Sequence, residues 1–136
     1  MIERTRFLGV HEAVSGKGGR LTLPKRFRAG LGDRVALICL PHHALTLLPI
    51  ALWDEIKSEI PSSADGERPD FAVVSVDVRG RIALPRTFCQ WADIAPHSPL
   101  VIVGLGQKVE IWSHGAWEQF RLADSKLSED AVEKLK

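Results

Sequence analysis

The chain has 136 residues, 45% of them hydrophobic and 26% charged, which suits one compact domain or two very small ones. A large multidomain enzyme and a polar, disordered polymer are both excluded. Eighteen Lys and Arg stand against 17 Asp and Glu, a net charge of +1, so the overall balance selects no partner and the location of the charges must.

A short opening strand leads to the glycine-rich turn Ser15-Gly16-Lys17-Gly18-Gly19-Arg20, followed by a second strand that ends at Pro24. Pro24 suits the first turn of a helix, where its missing N–H has no partner to lose, and Lys25 to Leu31 puts Phe27 and Leu31 on one face. Arg34 to Leu40 is a near-continuous apolar run short enough for a buried strand, Pro41-His42-His43 turns it back, and Ala44 to Leu48 returns. Pro49 to Ile60 reads as an amphipathic helix with Trp53 inward. The polar, Pro/Ser/Gly-containing stretch Pro61 to Asp70 reads as a linker.

The second half takes the same parts in the same order. A turn carrying Gly80-Arg81 leads to a strand ending at Pro85, and Arg86 to Ala92 forms a helix with Phe88 and Ala92 on one face. Pro99 to Gly104 is a second buried strand, Leu105-Gly106-Gln107 a turn, and Ser113 a good N-cap for a closing helix with Trp117 inward. The tail, Leu122 to Lys136, has sparse apolar residues with helical spacing from Ser128.

The repeat is explicit in the residues. Gly19-Arg20-Leu21-Thr22-Leu23-Pro24-Lys25-Arg26-Phe27 aligns with Gly80-Arg81-Ile82-Ala83-Leu84-Pro85-Arg86-Thr87-Phe88 at an offset of 61, and Ala44 to Leu48 with Trp53 aligns with Lys108 to Trp112 with Trp117 at an offset of 64. About three extra residues are expected near Ala95-Pro96-His97-Ser98. The expected organisation is α+β: two tandem β-β-α-β-β-α repeats over 1–60 and 71–121, a linker over 61–70 and a tail over 122–136. Repeats of about 60 residues have marginal cores alone, so the halves should pack into one pseudo-symmetric unit.

The cations gather at the two turns. Lys17, Arg20, Lys25, Arg26 and Arg28 lie between Ala13 and Gly32 with no acid among them; Arg79, Arg81 and Arg86 lie in an acid-free stretch from Val78 to Ala92. Six acids cluster from Asp54 to Asp70, so the surface is polarised and phosphate is the natural partner of its positive pole. The first turn is no P-loop, because Lys17 precedes the second glycine pair and a strand follows. The competing, structural reading is a glycine-rich hairpin whose arginine only forms a salt bridge.

No Ser/His/Asp, Cys/His or paired-carboxylate set recurs at catalytic spacing, so no enzyme is expected. Cys39 and Cys89 are isolated and no Cys/His cluster has zinc spacing, which points to a reducing cytoplasm with no metal or cofactor site. Adjacent His42 and His43 would point apart rather than chelate, and the four tryptophans read as core or interface residues. No apolar run of about 18 residues occurs, so neither export nor a membrane anchor is expected.

Two copies of Gly-Arg-apolar-x-Leu-Pro-x-x-Phe, a linker, and Glu110-Ile111-Trp112 followed by Trp117 resemble the MraZ family, bacterial transcriptional regulators built from tandem SpoVT/AbrB-type units. The resemblance spans roughly residues 5 to 121. It implies a double swapped-hairpin barrel, a ring-shaped homo-oligomer, and a cytoplasmic, nucleoid-associated protein with no membrane or small-molecule substrate. It further implies binding to short direct repeats in double-stranded promoter DNA of the division and cell wall gene cluster, commonly as a repressor. The family's Asp-x-x-Gly-Arg turn maps in full onto Asp77-Val78-Arg79-Gly80-Arg81; in the first half Gly16 replaces the aspartate that would order the turn.

The residues expected at DNA are therefore Lys17, Arg20, Lys25, Arg26, Arg28, Arg79, Arg81 and Arg86. Arg20 is the first choice for reading bases with Lys17 beside it, since Arg forks match guanine while Lys supplies point charge to phosphate. Lys25, Arg26 and Arg28 are phosphate candidates, although Arg28 could equally pack its stem against Trp or Phe and snorkel. Similar units also serve as antitoxins acting through a tail, or as global DNA-binding regulators; the fused double repeat argues against the antitoxin.

Overall fold

Proline and glycine punctuate both halves, and the elements start and stop beside them. The computed structural model describes residues 7–40, 43–59 and 71–122. The first half supplies β1 (Phe7–Val14), β2 (Arg20–Thr22), α1 (Lys25–Leu31), β3 (Arg34–Cys39), β4 (Leu45–Pro49) and α2 (Ile50–Ile56). The second supplies β5 (Phe71–Ser75), β6 (Arg81–Ala83), α3 (Arg86–Trp91), β7 (Pro99–Gly106) and β8 (Lys108–Ser113), followed by α4 over 114–122. The protein is thus a mixed α+β structure with four helices among the described residues. His42, the linker over 61–70 and the tail beyond residue 122 lie outside the described residues.

Three local details differ from expectation. Pro24 and Pro85 stand at the N-caps rather than inside the first turns, in extended conformation with ψ of 137° and 148°, and the helices begin at the next residue. The helix expected over 49–60 is α-helical only to Ile56 and tightens to a 3₁₀ turn at Lys57–Glu59. Strand β7 runs on to Gly106, which narrows the expected three-residue turn to Gln107. The expected cap is present: Ser113 Oγ accepts the Ala116 N–H at 3.2 Å.

A six-stranded sheet runs β1-β7-β8-β4-β3-β5, with every pair antiparallel, and β2 and β6 form a separate two-stranded ribbon. The order reads the same when the halves are exchanged. At its centre Thr46 lies opposite Glu110, and in the ribbon Leu21 lies opposite Ile82. Each of these residues faces its own counterpart in the other repeat, so a pseudo-dyad passes through both pairs. The halves also trade strands: β1 pairs with β7 along its whole length, and β5 pairs with β3. Neither half completes its own sheet.

Strand alternation divides the apolar residues between two faces. Val35, Leu37, Leu45, Leu47, Leu100, Ile102, Val109 and Ile111 point inward onto Phe27, Leu31 and Phe88 of the short helices and onto Leu21 and Ile82 of the ribbon. On the other face Ala36, Ile38 and Leu48 lie under Trp53 of α2, while Val101, Val103 and Trp112 lie under α4. All four tryptophans pack within the protein: Trp91 donates Nε1–H to Leu40 O at 2.9 Å, and Trp117 meets Trp112 edge-on at 5.7 Å. Among the described residues no helix is long and apolar enough to cross a membrane.

Candidate nucleic-acid interface

A three-residue strand has one inward position, and in both ribbon strands it is apolar. Leu21 and Ile82 are buried, anchoring the ribbon to the core; truncating either would cost about 2–5 kcal/mol. Alternation then forces Arg20, Thr22, Arg81 and Ala83 onto the outer face, where all four are exposed. Arg20 lies opposite Ala83 and Thr22 opposite Arg81, so the arginines sit on a diagonal of the ribbon and are exchanged by the pseudo-dyad.

The second turn is ordered by a carboxylate. Asp77 Oδ1 accepts the backbone N–H groups of Arg79 and Arg81, each at 2.9 Å, while Oδ2 accepts Arg81 Nε–H at 2.9 Å. The Arg81 backbone N–H, above all, holds the Asp77 carboxyl below its ordinary value of 3.8. One nitrogen of Arg81 is thereby fixed by the Asp77 carboxylate. Gly80 sits at φ +79°, a conformation L side chains rarely adopt, and donates its N–H to Asp77 O at 2.9 Å.

The first turn reaches a similar end without a carboxylate. Lys17–Gly19 winds into a 3₁₀ turn with Gly18 and Gly19 both at positive φ; the Arg20 N–H returns to Lys17 O, and the Gly16 N–H bonds Arg20 O at 2.7 Å. Ser15 holds its base: the hydroxyl donates to Ala95 O at 2.6 Å and accepts the Ser98 N–H at 3.0 Å, so the extra loop of the second half buttresses the first turn. Arg20 forms no ion pair among the described residues.

Of the eight expected cations, Lys17, Arg20 and Arg81 line one groove of about 740 Å³ together with Val14, Gly16 and Thr22. Arg79 is exposed on the second turn beside it. Lys25 and Arg86 occupy equivalent exposed positions at the starts of α1 and α3, and Arg86 borders a different cleft, with Gly18 and Gly19. Arg26 reaches back toward Gly9 of β1, where a Cβ would stand 3.5 Å from its Nη1. Arg28 turns inward: it is half-buried, donates Nε–H to Leu23 O at 3.0 Å, and lies over Gly80.

Two residues of the face carried no expectation. Thr22 shares it with the arginines, as its two-residue spacing from Arg20 already signals. Val78, fully exposed at the tip of the second turn where the first has Lys17, breaks the apolar-inside pattern. His43 takes no part: its Nδ1 lies 2.9 Å from Trp91 O.

Residues 72–135 match the family model described as "MraZ protein, putative antitoxin-like". A protein of Herpetosiphon aurantiacus named "Transcriptional regulator MraZ" is 34% identical over 122 residues, 82% of this chain and 84% of that protein. The chain belongs to the MraZ family. Two further MraZ regulators agree: one from a Marinomonas species is 32% identical over 95% of this chain and 93% of its own, and one from Desulforamulus reducens is 31% identical over 84% and 86%. The MraZ model takes in the second turn with Asp77 and Arg81; the full-length relatives extend the likeness across the first. These MraZ relatives bear the name of transcriptional regulators, which sets the family apart from enzymes.

Proposed function

We propose that this protein is a sequence-specific transcriptional regulator that lays its β2–β6 ribbon into the DNA major groove, with Arg20 and Arg81 reading base edges. One observation carries the reading: two arginines exchanged by the pseudo-dyad stand on the exposed face of an anchored two-stranded ribbon. The major groove, about 12 Å wide, admits such a ribbon, and a bidentate Arg–guanine contact is worth about 1–3 kcal/mol of discrimination. Diagonal positions on a ribbon lie about 7–8 Å apart, close to two base-pair steps. Lys17, Lys25, Arg26, Arg79 and Arg86 supply phosphate contacts around them, and the Val78 tip suits a thymine methyl.

The finer reading is a ring-shaped homo-oligomer of two-repeat subunits, units 1–60 and 71–121, with the double swapped-hairpin architecture. It acts in the cytoplasm at the nucleoid as a repressor on short direct repeats upstream of the division and cell wall genes. Support comes from the two outermost strands of the sheet: β1 exposes Leu8 and Val10 and β5 exposes Phe71 and Val73, edges that copies of the chain can cover by joining end to end. Several weak ribbons on tandem sites then gain avidity. Sedimentation should show a discrete multimer that Val10→Lys with Val73→Lys breaks into smaller species.

The test is fluorescence anisotropy of the wild type, Arg20→Ala and Arg81→Ala on the chain's own upstream DNA and on a scrambled duplex, across a salt series. Each variant should lose about fivefold to 150-fold in specific affinity, with binding to the scrambled duplex far less affected. Equal, weak binding of all three proteins to both duplexes would overturn the reading. The family model's description keeps an antitoxin as the second reading, which a neighbouring toxin gene whose product binds this chain would favour.

A further inference from the structure

We infer that Arg28 is a positioning residue that acts across the pseudo-dyad, bracing the second turn so that Arg81 is presented in one fixed pose. Its effect on DNA rests on the function proposed above; its effect on the turn does not.

The bracing is a continuous chain of contacts between the halves. Arg28 of α1 donates Nε–H to Leu23 O at 3.0 Å, and the N–H of the same Leu23 donates to Gly80 O at 2.8 Å. The guanidinium lies so close over Gly80 that a Cβ there would collide with Nε, Cζ and Cδ. Gly80 in turn donates to Asp77 O, and Asp77 holds Arg81 by backbone and side chain. A first-half side chain therefore rests on the one residue of the second turn that has no side chain to oppose it.

The other half provides an internal control. Leu84 N–H donates to Gly19 O at 2.9 Å, mirroring Leu23 and Gly80, but the residue 61 positions after Arg28 is Cys89. Its shorter side chain reaches Leu84 O only at 3.8 Å and borders Gly19, where a Cβ would stand 3.0 Å from Sγ, and beyond it lies a cleft of about 560 Å³ bordered by Gly18, Gly19, Leu84 and Asp93. The backbone bond between the repeats forms in both halves, so the fold does not need an arginine at this position. What the arginine adds is a rigid plane across the turn, anchored at one end. An arginine spent this way is poorly placed for phosphate, because its stem runs inward and the Nε donor is committed.

The experiment combines amide exchange without DNA and anisotropy on the upstream duplex, for Arg28→Ala and Arg28→Lys alone and combined with Arg20→Ala or Arg81→Ala, with thermal unfolding to confirm folding. In Arg28→Ala the Gly80 and Arg81 amides should exchange several-fold faster while residues 16–20 are unchanged. Specific affinity should fall roughly tenfold with the salt slope unchanged, the loss should persist with Arg20→Ala and vanish with Arg81→Ala, and Arg28→Lys should restore part of it. A salt slope reduced by about 0.9 would make Arg28 a phosphate contact instead. Unaltered exchange in the second turn, or equal losses in both arginine backgrounds, would also overturn the proposal. If Arg28→Ala does not fold, Arg28→Lys and Arg28→Gln carry the same comparison. Faster exchange at Gly80 in a protein that shows no preference for the upstream duplex would uphold the bracing and sink the regulator reading alone.

Discussion

At the second turn an aspartate collects three donors and an arginine from the other half lies across the glycine; at the first, backbone hydrogen bonds and two left-handed glycines close the loop, and a serine ties it to Ala95 and Ser98. Equivalent positions in a duplicated fold thus present the same arginine by different means, one through side-chain order and the other through backbone freedom. The lesson is that a repeat preserves the geometry of a site more strictly than the residues that enforce it. Arg81 is held by a partner, while Arg20 forms no ion pair among the described residues.

Glycine substitutions probe the comparison most severely. Gly19→Ala should destabilise most, because φ is +74° and the added Cβ would sit 2.6 Å from the backbone oxygen of Leu84, which cannot yield; about 2–3 kcal/mol is expected, read as a fall in the thermal midpoint. Gly80→Ala should cost less, about 1–2 kcal/mol, since the colliding atoms belong to the flexible Arg28 side chain, which would swing off the turn. Gly18→Ala, with open space around it, should carry only the backbone cost of about 1 kcal/mol. Equal losses at all three would break the contrast between a backbone-limited and a side-chain-limited turn.

Exchanging the ordering device sharpens it. Gly16 has an extended backbone, and the nearest atom to a Cβ there is 3.6 Å away, so Gly16→Asp fits and should slow exchange of the Gly18 and Arg20 amides; Asp77→Asn should speed that of Arg81 by releasing its side chain. Acid provides a milder version. The Asp77 carboxyl is held below 3.8 when folded, so its contribution is complete above the unfolded value and disappears as pH falls through the lower, folded one. Amide protection in the second turn, corrected for intrinsic exchange, should therefore be flat from about pH 5 to pH 8 and drop only in strong acid, with no such step in the first turn. The smallest effect concerns Cys89: burial pushes its thiol above 9.0, so iodoacetamide should label it several-fold more slowly than a free cysteine at neutral pH.

Much of this was legible in the residues. The Gly-Arg-x-x-Leu-Pro repeat marks the turns, the ribbon strands and the helix starts, and the acid-free stretches pick out the basic residues that surround them. Pairing was not legible. Periodicity identifies β1 as a strand but carries no information about whether its partner is β3 of its own half or β7 of the other. The pose of Arg28 is not legible in the sequence for a similar reason. On the helix it looks like one more cation in a basic run, and only the missing Cβ of Gly80, brought alongside by the fold, makes room for it to turn inward. Boundaries moved where local geometry overrode pattern, as at Pro24, whose extended ψ ends the strand approach before the helix begins.

The exchange of strands between halves also sets a timetable for synthesis. Val14, the end of β1, pairs with Pro99, and the 85 residues from Ser15 through Pro99 take about 4–17 s to be added at roughly 5–20 residues per second. During that interval the nascent first half carries Phe7 and the rest of β1 with no strand to close against, because β7 has not yet been made. Both ribbon strands, β2 and β6, have been made before β7 arrives, so a product truncated between Ala83 and Pro99 carries both arginines on a sheet that cannot close.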